Sequence, residues 1–315
     1  MNFPKVAFIG SPSFAVASLA KLVDAGVPVV AVVCQPDKPA GRGNELRAPA
    51  VKEYALAHNL PLLQPVKVRD GALAAWLKAQ GTELVVVAAY GRILGADVLH
   101  LTPLGCVNVH ASLLPRWRGA SPITRAIAAG DAKSGVCLMQ MDEGLDTGPE
   151  LARIVVPILD TDTTATLEIK LADAGAQLLL DHLPAITAGA LVPQPQPEDG
   201  LTFAPPLQKQ EGRIDWTRPA RHIHALIRAM QPWPGASTTP PDVSGEVWKI
   251  FEEGLALGDH NGDAGSIVAL EKDAAWVATG EGSLRIASIQ RPGKRAMPVP
   301  EVLRGLRWTV GARLG

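Results

Sequence analysis

Short apolar runs alternate with amphipathic stretches along the first half of the chain. Residues 29–33 and 84–88 are apolar at every position, which is the pattern of a strand that helices cover on both faces. Another strand is predicted at 6–9, and helical spacing of apolar residues predicts helices at 15–25 and 51–58. This βαβ rhythm indicates a Rossmann-like α/β domain with a mostly parallel sheet.

The second half has a different pattern. Residues 191–200 contain three alternating prolines and no periodicity, which is typical of an extended linker. A helix is predicted at 223–230, followed by short strands that turn signals separate, at 247–251, 266–270, 275–279 and 283–289. The expected organisation is a catalytic domain over 1–189, a linker over 190–208 and a small antiparallel β-barrel domain over 209–315.

Composition fits this division. A chain of 315 residues is long enough for two cores, and 47% hydrophobic with 19% charged residues excludes a largely disordered protein. The three cysteines, Cys34, Cys106 and Cys137, have no metal-ligand spacing, so neither a metal site nor a disulfide framework is expected. The chain enters its first strand without a signal peptide and contains no membrane span, and we expect a cytoplasmic protein.

Charge is unevenly distributed along the chain. The net charge is −1, but from Arg285 onward seven Lys and Arg residues stand against one Glu. Such a cluster is compatible with an RNA partner and equally with a solvated face.

Polar side chains with catalytic potential follow the apolar run near residue 107. Asn108 and His110 are two positions apart in a β-branched segment, so both leave the same face of one strand. In a parallel sheet, ligands bind at the carboxyl ends of strands. Asp146 lies in a Gly-rich acidic loop downstream. These side chains could merely satisfy loop amides, but their combination favours an active site.

Five separated segments carry a resemblance to a known family. They are residues 107–119, which read VNVHASLLPRWRG, together with 8–15, 36–43, 88–94 and 231–236. With Asp146 downstream, the chain resembles the folate-dependent formyltransferases over nearly its whole length. The family usually has Gly-Thr-Pro near the start, where this chain has Gly10-Ser11-Pro12.

The resemblance implies transfer of a formyl group from 10-formyltetrahydrofolate to the α-amine of methionine on initiator tRNA. Asn108 and His110 would then donate hydrogen bonds to the negatively charged oxygen of the tetrahedral intermediate. Asp146 would orient His110, and whether it also shuttles protons stays open. The resemblance further implies that the C-terminal barrel is similar to an oligonucleotide-binding (OB) fold.

The resemblance also implies a folate site at the strand ends, where backbone groups read the pterin edge and apolar side chains cover its face. For Leu113 and Leu114, plain core packing is an equally good interpretation. The expected folate-binding residues are Ala89, Tyr90, Gly91, Ile93, Ser112, Leu113, Leu114, Pro115 and Asp142.

The expected partners are folate and initiator methionyl-tRNA, with no membrane, and the expected state is a monomer. Family resemblance implies that the exposed segment 36–47 enters the tRNA acceptor stem, which suits Arg42 and Arg47, although any surface loop can carry such charges. Lys294 and Arg295 are the expected phosphate contacts of the barrel. Phe14 lines a pocket for the methionine side chain or belongs to the core.

Two other functions fit parts of the sequence. One is a formyltransferase for a small amine, such as an amino sugar or glycinamide ribonucleotide, for which the Arg42 loop, the linker and the basic barrel are superfluous. The other is an RNA-binding module with an inactive Rossmann-like half, against which the intact Asn108, His110 and Asp146 argue.

Overall fold

The computed structural model of the chain describes residues 3–40, 45–241, 245–303 and 308–315. The chain divides into two compact units. The first comprises Met1–Pro122, Lys133–Pro157 and Glu168–Pro205; the second comprises Ile123–Ala132, Ile158–Leu167 and Pro206–Gly315.

Strands and helices alternate in the first unit, and strands dominate the second. The described strands are β1 (Val6–Gly10), β2 (Val29–Val33), β3 (Lys38–Ala40), β4 (Glu45–Arg47), β5 (Leu62–Leu63), β6 (Leu84–Ala88), β7 (Cys106–His110), β8 (Arg118–Gly119), β9 (Lys133–Gln140), β10 (Glu150–Pro157), β11 (Phe203–Ala204), β12 (Ala236–Thr238), β13 (Trp248–Ile250), β14 (Ala256–Gly258), β15 (Ile267–Leu270), β16 (Ala275–Ala278), β17 (Ser283–Ile286), β18 (Ser288–Gln290) and β19 (Ala296–Pro298). The described helices are α1 (Ser13–Asp24), α2 (Ala50–Ala57), α3 (Ala72–Ala79), α4 (Ala96–Leu99), α5 (Pro122–Ala128), α6 (Thr164–Thr187), α7 (Ala220–Ala229) and α8 (Val299–Leu303), with a 3₁₀ turn at Lys209–Gly212.

The first unit is built on a seven-stranded sheet of order β10-β9-β7-β6-β1-β2-β5. Strands β5, β2, β1, β6 and β7 are parallel, while β9 and β10 pair antiparallel at the other edge. Every residue of β1, β6 and β7 is buried. The continuous apolar runs of β1 and β6 require this burial, while β7 also buries two polar residues, Asn108 and His110. The carboxyl ends of β1, β6 and β7 therefore meet at one edge of the sheet.

Gly10, at the end of β1, is required for close packing. A Cβ atom there would lie 2.7 Å from the Ala88 carbonyl oxygen and 2.7 Å from the Cβ of Ala15. Only a residue without a side chain lets the strand-to-helix turn approach β6 this closely. The glycine therefore has a packing role. The further glycines of the dinucleotide-binding motif Gly-x-Gly-x-x-Gly do not follow it in the sequence.

The second unit contains two four-stranded sheets, of order β12-β13-β18-β19 and β14-β17-β16-β15. All their pairings are antiparallel. Its core includes Trp248, Trp308, Ile227 and Ile286, and the two indole rings stack with centroids 5.5 Å apart. The predicted fold class, a mostly parallel sheet followed by a smaller antiparallel β domain, is confirmed.

One predicted strand is in fact two. Residues 283–289 were expected to form a single strand, but β17 ends at Ile286 and β18 begins at Ser288, in the other sheet. A strand that changes sheets at a corner keeps its apolar alternation on both sides, so periodicity alone does not reveal the break.

The predicted linker is extended, but hydrogen bonds tie it to the first unit. Gln194 and Glu150 exchange backbone hydrogen bonds, and β11 pairs in parallel with β8. The compact first unit accordingly runs to Pro205. The exact domain boundaries stay a prediction.

Candidate active site

Asn108 and His110 extend from the same face of β7, as their spacing predicts. They are 8% and 6% exposed, so both polar side chains lie in a largely desolvated environment. Asn108 is paired with Val87 of β6 on one side and Met139 of β9 on the other. A buried polar group without a partner is costly, so the partners of these two side chains decide what the site can do.

The imidazole of His110 has a different neighbour at each nitrogen. Its Nε2 lies 3.2 Å from the carbonyl oxygen of Trp117. Because a carbonyl only accepts, Nε2 carries the hydrogen in this contact. Its Nδ1 lies 3.7 Å from Oδ2 of Asp146, which is close enough for a charge interaction and too long for a hydrogen bond. In the neutral ring, Nδ1 is then the acceptor, and in the protonated ring it carries the charge that faces Asp146.

Asp146 is held in place at two points. Its Oδ2 accepts a 2.8 Å hydrogen bond from the backbone N–H of Gly119, and its carbonyl oxygen accepts a 2.9 Å hydrogen bond from Nε2 of Gln196. Its φ of 52° lies in the left-handed region, which costs a non-glycine residue about 1–3 kcal/mol and persists only when surrounding contacts enforce it.

The side-chain amide of Asn108 is available for a ligand. No hydrogen bond joins it to any residue that the structure describes. A buried amide of this kind offers two donors and one acceptor to a bound molecule. Asn108 is thus the free hydrogen-bond donor beside the His110–Asp146 pair.

Left-handed backbone is concentrated around this site. Among the described residues, the non-glycine residues with positive φ are Ala89, Trp117 and Asp146, which belong to the candidate site, and Asn59. Strain of this kind clusters at functional sites because pre-organisation is part of their mechanism.

The turn that follows β7 is also held by a residue of β10. Arg153 donates a hydrogen bond to the Leu114 carbonyl and pairs with the buried carboxylate of Glu150. These contacts fix the turn from the side of β10.

The predicted folate residues separate into two groups by exposure. Ala89, Gly91 and Asp142 are exposed, and Ile93 is 64% exposed. Their contact with folate stays a prediction. Asp142 also shapes its own loop, because its Oδ1 accepts from the Gly144 N–H and the Thr147 hydroxyl.

The second group is buried. Ser112 is fully buried and its hydroxyl donates to the Arg116 carbonyl, while Leu114 packs against Cys137 and Met139 and Pro115 is likewise buried. Leu113 is half-buried, against Gly135. Core packing is thus the observed environment of Leu114. Contacts of this group with folate stay a prediction.

Tyr90 lies in the core of the first unit rather than facing solvent. Burial raises the pKa of its hydroxyl, whose oxygen has no hydrogen-bond partner among the described residues. Its carbonyl oxygen accepts a hydrogen bond from Nε2 of Gln35, at the end of β2. The ring of Tyr90 therefore belongs to the core, and a contact of Tyr90 with folate stays a prediction.

The segment expected to contact tRNA forms a hairpin. Strands β3 and β4 pair Lys38 with Arg47, which is exposed, while Arg42 lies outside the described residues. At the hairpin base, hydrogen bonds from Gln64 and Lys52 lower the pKa of Asp37. The base is thereby anchored to the sheet. Phe14 is buried in α1, at 5% exposure.

The basic C-terminal stretch is partly neutralised. Arg285 pairs with Glu271 and Asp273, and Arg291 pairs with Glu246. Lys294 and Arg295 are exposed in the turn between β18 and β19. Arg304 and Arg307 lie outside the described residues.

Sequence reasoning missed two residues of the predicted linker, residues 190–208. Gln196 bonds to the Asp146 loop, and the Thr202 hydroxyl accepts a 2.9 Å hydrogen bond from the Trp117 N–H. The available signal was weak, because neither Gln196, between two prolines, nor Thr202 belongs to a periodic pattern that would mark it as half-buried.

Within the part of the chain that the structure describes, no group of three or more His, Cys, Asp or Glu residues is arranged to hold a metal ion. Nor does any helix there have the length and apolar character needed to cross a membrane.

Comparison with known proteins decides the family. The profile described as "Formyl transferase" matches residues 4–183, and "Formyl transferase, C-terminal domain" matches residues 206–307. The chain belongs to the formyl transferase family. This formyl transferase thus contains both of the family's domains, and its Asn108, His110 and Asp146 lie in the first.

Curated relatives of this formyl transferase match along almost its full length. A "Methionyl-tRNA formyltransferase" of Myxococcus xanthus is 47% identical over 313 residues, which cover 99% of this chain and 98% of that protein. Another of that name, from Anaeromyxobacter dehalogenans, is 48% identical and covers 96% of this chain and 97% of its own length.

Solved structures share the fold at much lower identity. An N-formyltransferase from Helicobacter canadensis, in complex with folinic acid and dTDP-3-aminofucose, has a TM-score of 0.66 at 17% identity and covers 91% of this chain and 99% of its own. HypX from Aquifex aeolicus, in complex with tetrahydrofolic acid, has a TM-score of 0.63 at 17% identity. The match covers 96% of this formyl transferase but only 47% of the longer HypX chain.

Proposed function

We propose that this chain transfers the formyl group of 10-formyltetrahydrofolate to the α-amine of methionyl-tRNA, the initiator formylation of translation. One observation carries the proposal: relatives named methionyl-tRNA formyltransferase are 43–48% identical over 96–99% of the chain, so the similarity includes the C-terminal domain as well as the catalytic one. The sugar formyltransferases share only the fold, at 17–20% identity. The full-length similarity therefore favours a tRNA acceptor over a small amine.

The reaction is an acyl transfer between two amines. The neutral α-amine of methionine attacks the formyl carbon, and the carbonyl oxygen becomes an oxyanion. The bond from the formyl carbon to the folate N10 then breaks, and the oxyanion returns to a carbonyl. One proton leaves the attacking nitrogen and one reaches N10, so the exchange needs neither an oxidant nor a net proton.

Asn108 is suited to stabilise the oxyanion. Its amide is buried beside the strand end and has no partner among the described residues, so its N–H groups are free to meet developing charge. A fixed donor in a desolvated site contributes about 2.7–4 kcal/mol to transition-state stabilisation. The free amide thus supports assigning this role first to Asn108.

His110 and Asp146 are suited to move the proton. With Nε2–H engaged by the Trp117 carbonyl, Nδ1 is the acceptor that can take a proton from the attacking amine. The imidazolium formed in this way lies 3.7 Å from the Asp146 carboxylate, which stabilises the positive charge. The proton then passes to N10. This arrangement gives His110 a role in proton transfer beside the donor role expected from the sequence.

The exposed backbone of residues 89–93 and the loop around Asp142 are the proposed folate site. Exposed apolar side chains, Ile93 at 64% and Leu145 at 57%, are suited to cover a pterin face. The proposed tRNA contacts are Arg42 and Arg47 at the hairpin and Lys294 and Arg295 on the second unit.

We further propose that the enzyme works in the cytoplasm as a monomer. The three cysteines are free and buried, and burial raises the pKa of the Cys106 and Cys137 thiols to about 12, so they stay protonated and unreactive. Free thiols are compatible with a reducing compartment. Analytical ultracentrifugation tests the monomer.

The test is transfer of labelled formyl from 10-formyltetrahydrofolate to charged initiator tRNA. We expect formylmethionyl-tRNA with methionyl-tRNA as acceptor. Uncharged tRNA and amino sugars serve as controls and should give no product. Transfer to an amino sugar in preference to methionyl-tRNA would overturn the proposal.

A further inference from the structure

Gln196 is set apart from its neighbours in the Pro-rich segment. Every residue from 192 to 200 is exposed except Gln196, which is half-buried. Its Oε1 accepts hydrogen bonds from Nε and Nη2 of Arg118, at 3.0 and 2.7 Å. Its Nε2 donates to the carbonyl oxygens of Asp146 and Gly148, at 2.9 and 2.7 Å. The amide thus makes all four of the hydrogen bonds available to it.

These partners fix the orientation of the amide and the identity of the residue. Arginine only donates and a carbonyl only accepts, so the oxygen of Gln196 must face Arg118 and its nitrogen must face the Asp146 loop. A glutamate would keep the arginine contact but place a second acceptor against two carbonyl oxygens. A neutral amide is therefore the side chain that satisfies both sides.

One hydrogen bond of Gln196 ends on the carbonyl oxygen of Asp146. That residue has a left-handed φ of 52°, which its surroundings must enforce. Its carboxylate accepts from the Gly119 N–H and lies 3.7 Å from Nδ1 of His110. A shift of the loop would separate the carboxylate from both groups.

Thr202, in the same predicted linker, holds the other side of the imidazole. The Thr202 hydroxyl accepts from the Trp117 N–H, and the Thr202 carbonyl accepts from the Arg118 N–H. The Trp117 carbonyl is the group that engages Nε2 of His110. Both contacts of the imidazole therefore rest on residues that this segment fixes.

We propose that Gln196 is a positioning residue for formyl transfer, which holds Asp146 in register with His110 by binding the carbonyls of Asp146 and Gly148. The proposal rests on the proposed function for the reaction that it serves. Its structural part, the coupling of Gln196 to the Asp146–Gly119 hydrogen bond, stands apart from the identity of the acceptor.

The sharpest variant is Gln196→Glu, which keeps the acceptor for Arg118 and removes the two donors. We expect kcat to fall about 10- to 100-fold, the range for a small misplacement of catalytic groups, with KM for both substrates within about threefold of wild type. The matched control is Gln194→Glu, two residues earlier, whose exposed side chain bonds only to the Val192 carbonyl. The control should keep kcat within about twofold of wild type.

A double variant tests the route of the effect. If Gln196 acts through Asp146, adding Gln196→Glu to Asp146→Asn should lower kcat little further, since residues that act as a unit are non-additive. Full additivity, or a Gln196→Glu enzyme with wild-type kcat, would overturn the inference.

Two further measurements keep the result decisive. Amide hydrogen exchange of Gly119, followed by NMR, should quicken in Gln196→Glu whatever amine the enzyme formylates; unchanged exchange would contradict the coupling even if the proposed function failed. Should Gln196→Glu unfold below the assay temperature, Gln196→Met, which keeps the side-chain length without a charge, replaces it. Unfolding of both variants would show that the residue serves stability and not positioning.

Discussion

His110 has one nitrogen committed and one available. The Trp117 carbonyl takes the Nε2 hydrogen at 3.2 Å, and Nδ1 lies near a carboxylate without a hydrogen bond to it. Asn108 has the reverse situation, a buried amide with unused donors. The two side chains share a strand face, but their surroundings suit one to proton transfer and the other to charge stabilisation.

The first prediction concerns turnover. Asn108→Ala and His110→Ala should each lower kcat about 100- to 1,000-fold. The first variant loses a hydrogen bond to charge that develops only in the transition state, and the second loses the proton acceptor. Dissociation constants for folate should stay nearly unchanged, as measured by fluorescence titration. His58→Ala, which removes an exposed histidine, is the control and should leave kcat as it is. A folded Asn108→Ala enzyme with wild-type kcat would remove the amide from the mechanism.

Among the secondary-structure elements, the short strand pair β8–β11 has only four residues, but both the sheet and the candidate site depend on it. Gly119 has a φ of 122°, and a Cβ there would lie 2.8 Å from the backbone oxygen of Ala204. Its N–H is also the donor to Asp146. Sheet pairing and catalytic geometry therefore depend on the same glycine.

Gly119→Ala should accordingly reduce both stability and activity. The methyl group must push β11 away and the backbone is strained, so we expect a loss of about 1–3 kcal/mol in unfolding free energy and a lower kcat. Gly200→Ala is the matched control, since that glycine also has a positive φ, 81°, but no atom lies within 4 Å of a Cβ. Urea unfolding and steady-state kinetics measure the two effects. Equal losses in the two variants would contradict a specific contact with Ala204.

Helix α7 carries a titratable group whose protonation opposes folding. Nδ1 of His224 accepts a 3.2 Å hydrogen bond from Nε of Arg228, which also donates to the carbonyls of Leu159 and Asp162. Burial, and then the positive charge of Arg228, lower the pKa of His224, and Asp160 partly opposes this. The neutral ring is thus part of the folded state.

Stability should therefore fall in acid. A pKa that is lower in the folded state than the unfolded value of 6.5 contributes stability that is fully present above pH 6.5 and lost as the pH falls through the folded pKa. His224→Gln keeps an acceptor for Arg228 without titrating, so its unfolding free energy should fall less between pH 7.5 and 5. His222→Gln, exposed on the same helix, should behave like wild type. Parallel curves for His224→Gln and wild type would refute the assignment.

The sequence predicted those elements in which the spacing of apolar residues reflects a buried face. β1, β6 and α7 lie within a few residues of their predicted positions because apolar periodicity reflects one buried face or two. The same-face placement of Asn108 and His110 followed from strand geometry. In contrast, the contacts of Gln196 and Thr202 depend on residues about 50 to 85 positions away along the chain. No local sequence pattern indicates which distant residues will make these contacts. The left-handed backbone of Asp146 could not be predicted for the same reason.

At the scale of the whole molecule, the sequence overstates the positive charge of the C-terminal stretch. Pairing with Glu271, Asp273 and Glu246 neutralises two of its arginines. Among the described cations of this stretch, Lys294 and Arg295 remain exposed in one turn, and Arg313 is exposed as well. Fewer cations of this stretch are therefore available to attract RNA than a count of its Lys and Arg residues implies.

The last prediction concerns salt. Replacing Lys294 and Arg295 together with alanine should weaken tRNA binding and flatten its dependence on salt concentration, by roughly 0.7 to 0.9 in slope for each lost phosphate contact. The preference for initiator tRNA should persist, because phosphate contacts position rather than specify. Replacing Lys67 and Arg69, exposed on the first unit, with alanine is the charge-matched control. Filter binding over a salt series measures the slope, and an unchanged slope would assign the turn to plain solvation.

The pairing of β11 with β8 also determines which fragment of this polypeptide would keep its active-site geometry in a fusion with another protein. A fragment that ended at residue 183, with the catalytic family profile, would contain Asn108, His110 and Asp146. It would lack the Gln196 and Thr202 contacts and the Ala204 carbonyl against Gly119. Grafted into a foreign protein, such a fragment would carry the reactive groups without their scaffold. A functional fragment must extend through Pro205. The segment that a gene fusion can transfer is therefore longer than the segment that contains the reactive side chains.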